Sequence, residues 1–579
     1  MPFRAHGLGF MGVAGVAIAL AFAPTAAAAA PWLAFRIDCV DEETGRGVPL
    51  VQLKTSSYIA WISDSAGVIA FDEPGLLGLD VYFVVLTDGY SVVTTLPNEP
   101  HSEPGVLLRT EAGGRANITL RRLQPAERLF RLTGGGLYRD SILVGAEAPI
   151  VQPLLSSAGV LGQDSLMAAP YKGQVFWFFG DTECPAGPRD TDCQHYARFT
   201  TGATSPLSEA RGARPPSLVY FASEAKHDPG GMAADGRPSA ALLARWNPRG
   251  FAHPRAMLAG PGEPPEFNMS TWIGSLTVLS EHGEERMYTT FVCPNGGPDQ
   301  LFGLARWDDA AEVFRPVGGA AYRMRYSGAQ TVQRLRQGDE EHVYFASAFA
   351  MSRVAASFSA IEEPSAYEYF TPCTSAGCGA NMSAASWAWR RADLDGQPGG
   401  VAYFGPEQEA AAIREGKLAA ADSRMQVVDA QTKQPIGGIL IRGSVAWNAH
   451  RNAYLLIAVR KHEAASDGTS RFGEIYACEA SEITGPWREC TNVVTHNVTG
   501  SSCYNPMALP WLEEEGGRVV FLACTFTSMT SGTDGASDRA CRFDDYGGVD
   551  CAVAVPRYEY NNLVFRLDLA KMPPRGASA

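Results

Sequence analysis

Two aspartates bracket a short aromatic hairpin in "GQDSLMAAPYKGQVFWFFGDT", residues 162–182. Asp164 precedes the first apolar run and Asp181 follows the second. Glycosidic cleavage needs two carboxyl groups in one cleft. One protonates the leaving oxygen, and the other activates water or attacks the sugar. Asp164 is the first candidate, against the plainer reading of a turn aspartate bonding nearby amides. Asp181 follows Gly180, which lets the backbone turn tightly, and precedes Thr182, whose hydroxyl could bond the carboxylate. Its alternative is an Asx-turn closing the hairpin. A third carboxylate, Glu474, lies in "RFGEIYACEASEITGPW". Alternation puts Glu474, Tyr476 and Cys478 on one face of that strand and Ile475, Ala477 and Glu479 on the other. Glu474 is a candidate acid and Glu479 a fallback, each against a solvated strand carboxylate.

Other residues could bind sugar. Trp272 in "NMSTWIGSL", Trp447 and Asn448 in "GSVAWNA", and Tyr504 and Asn505 in "SSCYNP" are read as beginning later strands. Aromatic faces stack on sugar rings and asparagine bonds hydroxyls, although packing at a strand end explains the same residues. Arg353 and Arg442 could hold an acidic sugar or be structural. His195, His227, His342 and His496 form no HExxH pattern, and no GxSxG elbow occurs. No GxGxxG opens a helix and no GxxxxGK[ST] is present, so neither a nucleotide cofactor nor a metal is expected.

The elements that must position these residues are strands. Of 579 residues, 60 are Gly, 38 are Pro and 10% are aromatic, a turn-rich β composition. Residues 31–125 alternate apolar and polar in short runs broken by "ETGRG", "SDSAG" and "EPGLLG", as in a small antiparallel sandwich. Residues 126–160 read as a lead-in. Over 161–579, "QVFWFFGD", "RMYTTFVC", "HVYFASAFA", "AYLLIAVR" and "RVVFLACTFT" mark five loose blocks of strands. That spacing predicts an all-β chain, an N-terminal β-sandwich followed by a five-bladed β-propeller. A double-sheet sandwich is the architectural rival. The only helical pattern of note is "PEQEAAAIREGKLAAA", 406–421.

Residues 1–30 carry one Arg, an apolar run and small residues, the layout of a signal peptide, with a membrane anchor as the alternative. An exported, soluble mature protein, extracellular or periplasmic, is expected. All 12 cysteines follow that segment. Cys184 and Cys193, Cys373 and Cys378, Cys478 and Cys490, and Cys541 and Cys551 lie close enough for short disulfide loops. Sequons at Asn117, Asn268, Asn381 and Asn497 fit a glycoprotein. A net charge of -14 and pI near 5.3 argue against nucleic acid or anionic membrane as partner and leave a poly- or oligosaccharide.

Two resemblances add to this. Residues 33 to about 125, with "TGRGVPLVQL" and "SDSAGVIAFDEPGL", resemble the prealbumin-like (carboxypeptidase regulatory-like) modules of secreted enzymes. "GQDSLMAAPYKGQVFWFFGDT" resembles the opening blade of five-bladed propeller glycosidases of the arabinanase, levansucrase and invertase clan. It is similar in particular to arabinan-degrading propellers with an aspartate before the strand and "FGDT" after it. The resemblance implies roles for Asp164 and Asp181, and it favours inversion on a furanoside-like substrate. "GEIYACEASEITGPW" resembles an arabinanase-type strand and turn, which matches Glu474 to the acid. The second block, "NMSTWIGSLTVL", lacks the aspartate that tunes the acid in that clan. The reading is a secreted glycoside hydrolase; the alternative is a non-catalytic, lectin-like propeller or adhesin.

Overall fold

The computed structural model describes residues 33–94, 96, 103–149, 160, 162–183, 200–209, 213–221, 272–293, 301–310, 312–317, 331–337, 340–394, 399–461, 473–495, 502–527, 541–543, 549–551 and 560–573. The signal-like segment, Cys184, Cys193, His195, His227, His496 and the sequons at Asn268 and Asn497 lie outside the described residues. The chain is all-β, with few helices.

Two four-stranded sheets come first. One orders Val68–Phe71, Phe35–Asp41, Arg115–Arg122 and Tyr90–Val92; the other orders Ala60–Ile62, Gln52–Thr55, Asp80–Leu86 and Gly105–Arg109. Alternate residues such as Phe35, Ile37, Leu53 and Phe83 fill one core between them. One pairing departs from the antiparallel expectation: Phe35–Asp41 runs parallel to Arg115–Arg122. The strand just before Arg115–Arg122 is Gly105–Arg109 of the other sheet, so Arg115–Arg122 enters its sheet by a crossover rather than as a hairpin partner.

Among the described residues five further sheets of four or five strands follow. Sheet I holds Leu166–Tyr171, Gln174–Phe179, Thr201–Pro206 and Val219–Tyr220. Sheet II holds Trp272–Glu281, Glu284–Cys293, Leu301–Asp308 and Val313–Pro316. Sheet III holds Thr331–Gln337, Glu340–Ser347, Phe349–Ala355, Glu368–Thr371 and Ala388–Arg391. Sheet IV holds Leu440–Asn448, Ala453–Arg460, Ile475–Ala480 and Glu489–Val494. Sheet V holds Ser502–Ala508, Val519–Thr527 and Asn561–Asp568, and then Glu127–Arg131 from far upstream.

The first strand of each sheet lies beside the first strand of the next, and that of sheet V lies beside that of sheet I. The described residues therefore form a propeller-like ring of five sheets. The apolar core explains it. Val175, Trp177 and Phe179 pack toward sheet V, whereas Phe176 and Phe178 pack toward sheet II. A strand apolar on both faces must be covered on both, and each seam of the ring supplies one cover.

Glu127–Arg131 falls in the segment expected to be a lead-in. Instead it pairs with Asn561–Asp568 as the last strand of sheet V, so the start of the chain helps close the ring. Arg128 on that strand is buried, and its guanidinium donates to the carbonyls of Pro49 (2.9 Å) and Asp88 (2.7 Å) in the sandwich. The predicted helix forms over Pro406–Arg414, with proline in its first turn and the Gln408 side chain accepting from the Gly405 amide. Disulfides join Cys373 to Cys378 and Cys478 to Cys490, as their spacing suggested, and also Cys503 to Cys524. Cys541 and Cys551 are register partners on a two-stranded ribbon. Cys39 is a free thiol in the sandwich core, and burial, then Asp38 and Asp64, pushes its ionisation up. Among the described residues no helix is long and apolar enough to cross a membrane.

Candidate active site

The hairpin of sheet I runs past its strands. Leu166 pairs with Phe179, and Gln163 pairs with Thr182. The same register on both sides puts Asp164 opposite Asp181, and the Asp164 amide donates to the Asp181 carbonyl at 2.8 Å. Two carboxylates are thus cross-strand neighbours, an arrangement that costs stability unless other groups hold them. Thr182 does not bond the Asp181 carboxylate as its position suggested. Its hydroxyl donates to the Gly180 carbonyl (3.1 Å) and lies 2.8 Å from the Thr201 hydroxyl, in a buried network with Gln163.

Asp164 turns toward sheet V. Tyr504 donates to its Oδ1 at 2.5 Å and Tyr560 to its Oδ2 at 3.2 Å. Ser165 donates to Oδ1 at 2.8 Å. Behind Ser165, Asn505 Nδ2 donates to the serine hydroxyl, and Arg442 donates to Asn505 Oδ1 at 2.6 Å. Ser165, Arg442, Asn505 and Tyr560 all have positive φ, at 34°, 44°, 50° and 60°. Arg442 and Asn505 sit in bulges that break the registers of their strands, between Ile441 and Gly443 and between Tyr504 and Met507. A bulge re-aims a side chain at a sheet's rim, and left-handed backbone at a non-glycine residue costs of order 1 kcal/mol or more. Four such residues in one cluster mark a place where the fold holds unfavourable backbone to aim side chains inward.

Asp181 turns the other way, toward sheet II. Trp272 Nε1 donates to its Oδ1 at 2.8 Å, and the indole remains 36% exposed, leaving ring surface open to a ligand. Burial pushes the Tyr560 phenol far above its ordinary value, and the charges of Asp164 and then Asp181 push it further. Tyr560 therefore lies in the field of both carboxylates. Burial and then Asp164 act in the same direction on Tyr504.

Other expected residues go elsewhere. Glu474 immediately precedes Ile475–Ala480, an interior strand of sheet IV, in a buried ion pair with Arg460 (3.4 Å), and accepts from the Tyr476 hydroxyl (3.0 Å). No hydrogen bond or ion pair links it to Asp164 or Asp181. Glu479 is buried against Arg451 at 2.6 Å rather than solvated. Arg353 pairs with Glu368 at 2.8 Å and stacks 4.2 Å from the Trp389 ring centre, so sheet III already uses its charge. Trp447 and Asn448 end the strand Leu440–Asn448 rather than begin it, at the opposite end from Arg442. Asn448 there bonds the Gly517 carbonyl and the Arg451 amide, closing a turn, and Trp447 lies edge-on to Tyr454. His342 is buried in sheet III, in the field of Arg353 and Glu368. Among the described residues no cluster of His, Cys, Asp or Glu could hold a metal.

Tyr560 and Ser165 are the residues that sequence reasoning missed. Tyr560 stands just before the third strand of sheet V in "YEYNN", 396 positions from Asp164. Ser165 is concealed by its ordinary place beside an aspartate.

No family model matches the chain, and no curated protein matches it. Solved structures do align with it. A Bacteroides ovatus protein described as a candidate hydrolase is 12% identical, over 73% of this chain and 89% of that one, with a TM-score of 0.38. An exo-1,5-α-L-arabinanase from a bovine ruminal metagenomic library is 9% identical over 70% and 93%, with a TM-score of 0.30. A Cellvibrio cellulosa α-L-arabinanase complexed with arabinohexaose is 9% identical over 68% and 96%, with a TM-score of 0.29. At these scores the weight rests on the geometry of the site.

Proposed function

We propose that the protein is a secreted glycoside hydrolase acting on a poly- or oligosaccharide at one end of a five-bladed propeller. The observation that carries this is the placing of Asp164 and Asp181 opposite each other on one hairpin, each fixed by a donor from a different neighbouring sheet. Asp164 accepts three hydroxyl protons and so serves as base or nucleophile. Asp181 is the acid. The exposed Trp272 indole, pinned beside Asp181, supplies a stacking face for a sugar ring. Arg442 is exposed beside the pair and contributes a polar edge. Glu474 is left out of the mechanism because Arg460 already engages it. The separation of the two carboxyl groups sets the stereochemistry: about 5 Å gives retention and roughly 6.5–9.5 Å gives inversion.

The test compares wild type with Asp164→Asn on a panel of plant, algal and bacterial polysaccharides, measuring new reducing ends. Wild type is expected to release sugar from at least one, with the variant slower by about 10³-fold or more. Equal release by the variant would sink the role of Asp164. A second reading, saccharide binding without cleavage, is favoured by one observation: the Asp181 carboxylate is engaged by the Trp272 indole. Wild-type binding to a glycan with no release on any would put that reading ahead.

A further inference from the structure

The two oxygens of Asp164 are not equivalent. A carboxylate oxygen has about two acceptor sites. Oδ1 fills both, with Tyr504 at 2.5 Å and Ser165 at 2.8 Å. Oδ2 receives only Tyr560, at 3.2 Å, among the described residues. The direction of the Ser165 bond is fixed by its neighbours. Asn505 Nδ2 donates into the serine oxygen, so the serine proton is free to go to Asp164. Asn505 is held in turn by Arg442, which donates to its Oδ1. The Ser165 amide donates to Thr525 Oγ1 at 2.8 Å, which ties the backbone of sheet I to sheet V at the same point.

We infer that Oδ2 is the reacting oxygen of Asp164, and that Tyr504, on the first strand of sheet V, and Tyr560, just before its third, are the positioning residues that keep it turned toward substrate. This rests on the hydrolase reading above. A carboxylate on a single bond to its carbon rotates freely unless both oxygens are engaged. Tyr504 and Ser165 clamp one oxygen against the seam between sheets I and V. Tyr560 touches the other with a longer bond and leaves one acceptor site open. As a base, Oδ2 takes a proton from water as the water oxygen bonds to the anomeric carbon; the glycosidic C–O bond breaks and the departing oxygen takes a proton from Asp181. As a nucleophile, Oδ2 forms the bond to the sugar carbon while the glycosidic C–O bond breaks and the departing oxygen takes a proton from Asp181; water that gives its proton back to Asp181 then displaces Oδ2 from that carbon. Either way, the tyrosines keep their own protons.

The experiment uses the full-length chain with Tyr504→Phe, Tyr560→Phe and the double variant. On whichever glycan wild type cleaves, kcat is expected to fall about 10- to 100-fold in each single variant with KM within about twofold, because misaiming a reacting group costs turnover rather than binding. Unchanged kcat in the double variant overturns the inference, as does a loss confined to KM. A crystal structure of the double variant needs no substrate. The Asp164 carboxylate is expected to rotate or to split between orientations. A carboxylate left in place overturns the positioning role even if wild type cleaves nothing, an outcome that would separately defeat the hydrolase reading.

Discussion

The first strands of the ring have two ends, and they are built by different means. At the starting end, side chains from sheets I, II, IV and V meet across hundreds of residues: Asp164 with Tyr504 and Tyr560, Asp181 with Trp272, Arg442 with Asn505. At the other end, sheets I and II close on two-residue turns, Lys172–Gly173 and His282–Gly283, all four residues at positive φ. These are local type I′ geometries that serve their own hairpins. One end uses left-handed backbone to point side chains at neighbours, and the other uses it only to reverse the chain. Chemistry is therefore expected at the first end alone.

The largest effect that could break this contrast is Asp181→Asn. Asparagine can still accept the Trp272 indole proton, so the fold is expected to stand while the proposed acid is lost. We expect kcat to drop about 10²- to 10⁴-fold with little change in Tm, measured by sugar release and thermal unfolding. Full activity would move the acid elsewhere and leave Asp181 as a hairpin residue. Glu474→Gln probes the same end of a different sheet. It removes one charge from a buried pair and leaves Arg460 uncompensated, for a loss of about 3 kcal/mol in denaturant unfolding. Turnover per folded molecule is expected to be unchanged. A large loss of kcat at full stability would reinstate Glu474 as a catalytic acid.

Much of this was legible in the sequence, where the signal was local. The paired strands of sheet I follow from "LMAAPY" and "QVFWFF" around "KG", and the register then aligns Asp164 with Asp181. The alternation in "GEIYACEA" correctly put Tyr476 on the face of Glu474 but could not reveal Arg460, because a cross-strand partner is set by tertiary pairing. Trp447 was misplaced because the bulge at Arg442 masks where its strand begins; "GSVAWNA" looks like a start and is an end. Tyr560 and the strand Glu127–Arg131 left no local mark at all. Their roles arise only when the ring closes, which sets Glu127–Arg131 on Asn561–Asp568 and Tyr560 against Asp164.

Trp447→Ala tests the end that sequence reasoning had credited with sugar binding. The indole is 40% exposed and packs only partly on Tyr454, so about 1 kcal/mol of stability is at stake. KM and kcat on the cleaved glycan are expected to match wild type. A raised KM would show that substrate reaches through to the hairpin end, and the contrast between the two ends would then fail.

The smallest expected effect comes from Gly283→Ala in the turn of sheet II. A methyl group there would meet nothing within 4 Å, so packing is not at issue. The cost lies in the backbone: Gly283 has φ 82°, a region that alanine enters for about 1 kcal/mol. His282 before it already accepts φ 50°, and Glu281 and Glu284 pair directly across the turn, so the ladder below should keep its register. The variant is expected to unfold slightly earlier in denaturant and to cleave at the wild-type rate. The opposite pattern, full stability with slower cleavage, would mean that strain at the hairpin end reaches Trp272 along the ten residues of Trp272–Glu281. The bulge between Ile273 and Leu276 argues against that, because it interrupts the ladder before it reaches the site and lets the two ends of the strand adjust separately.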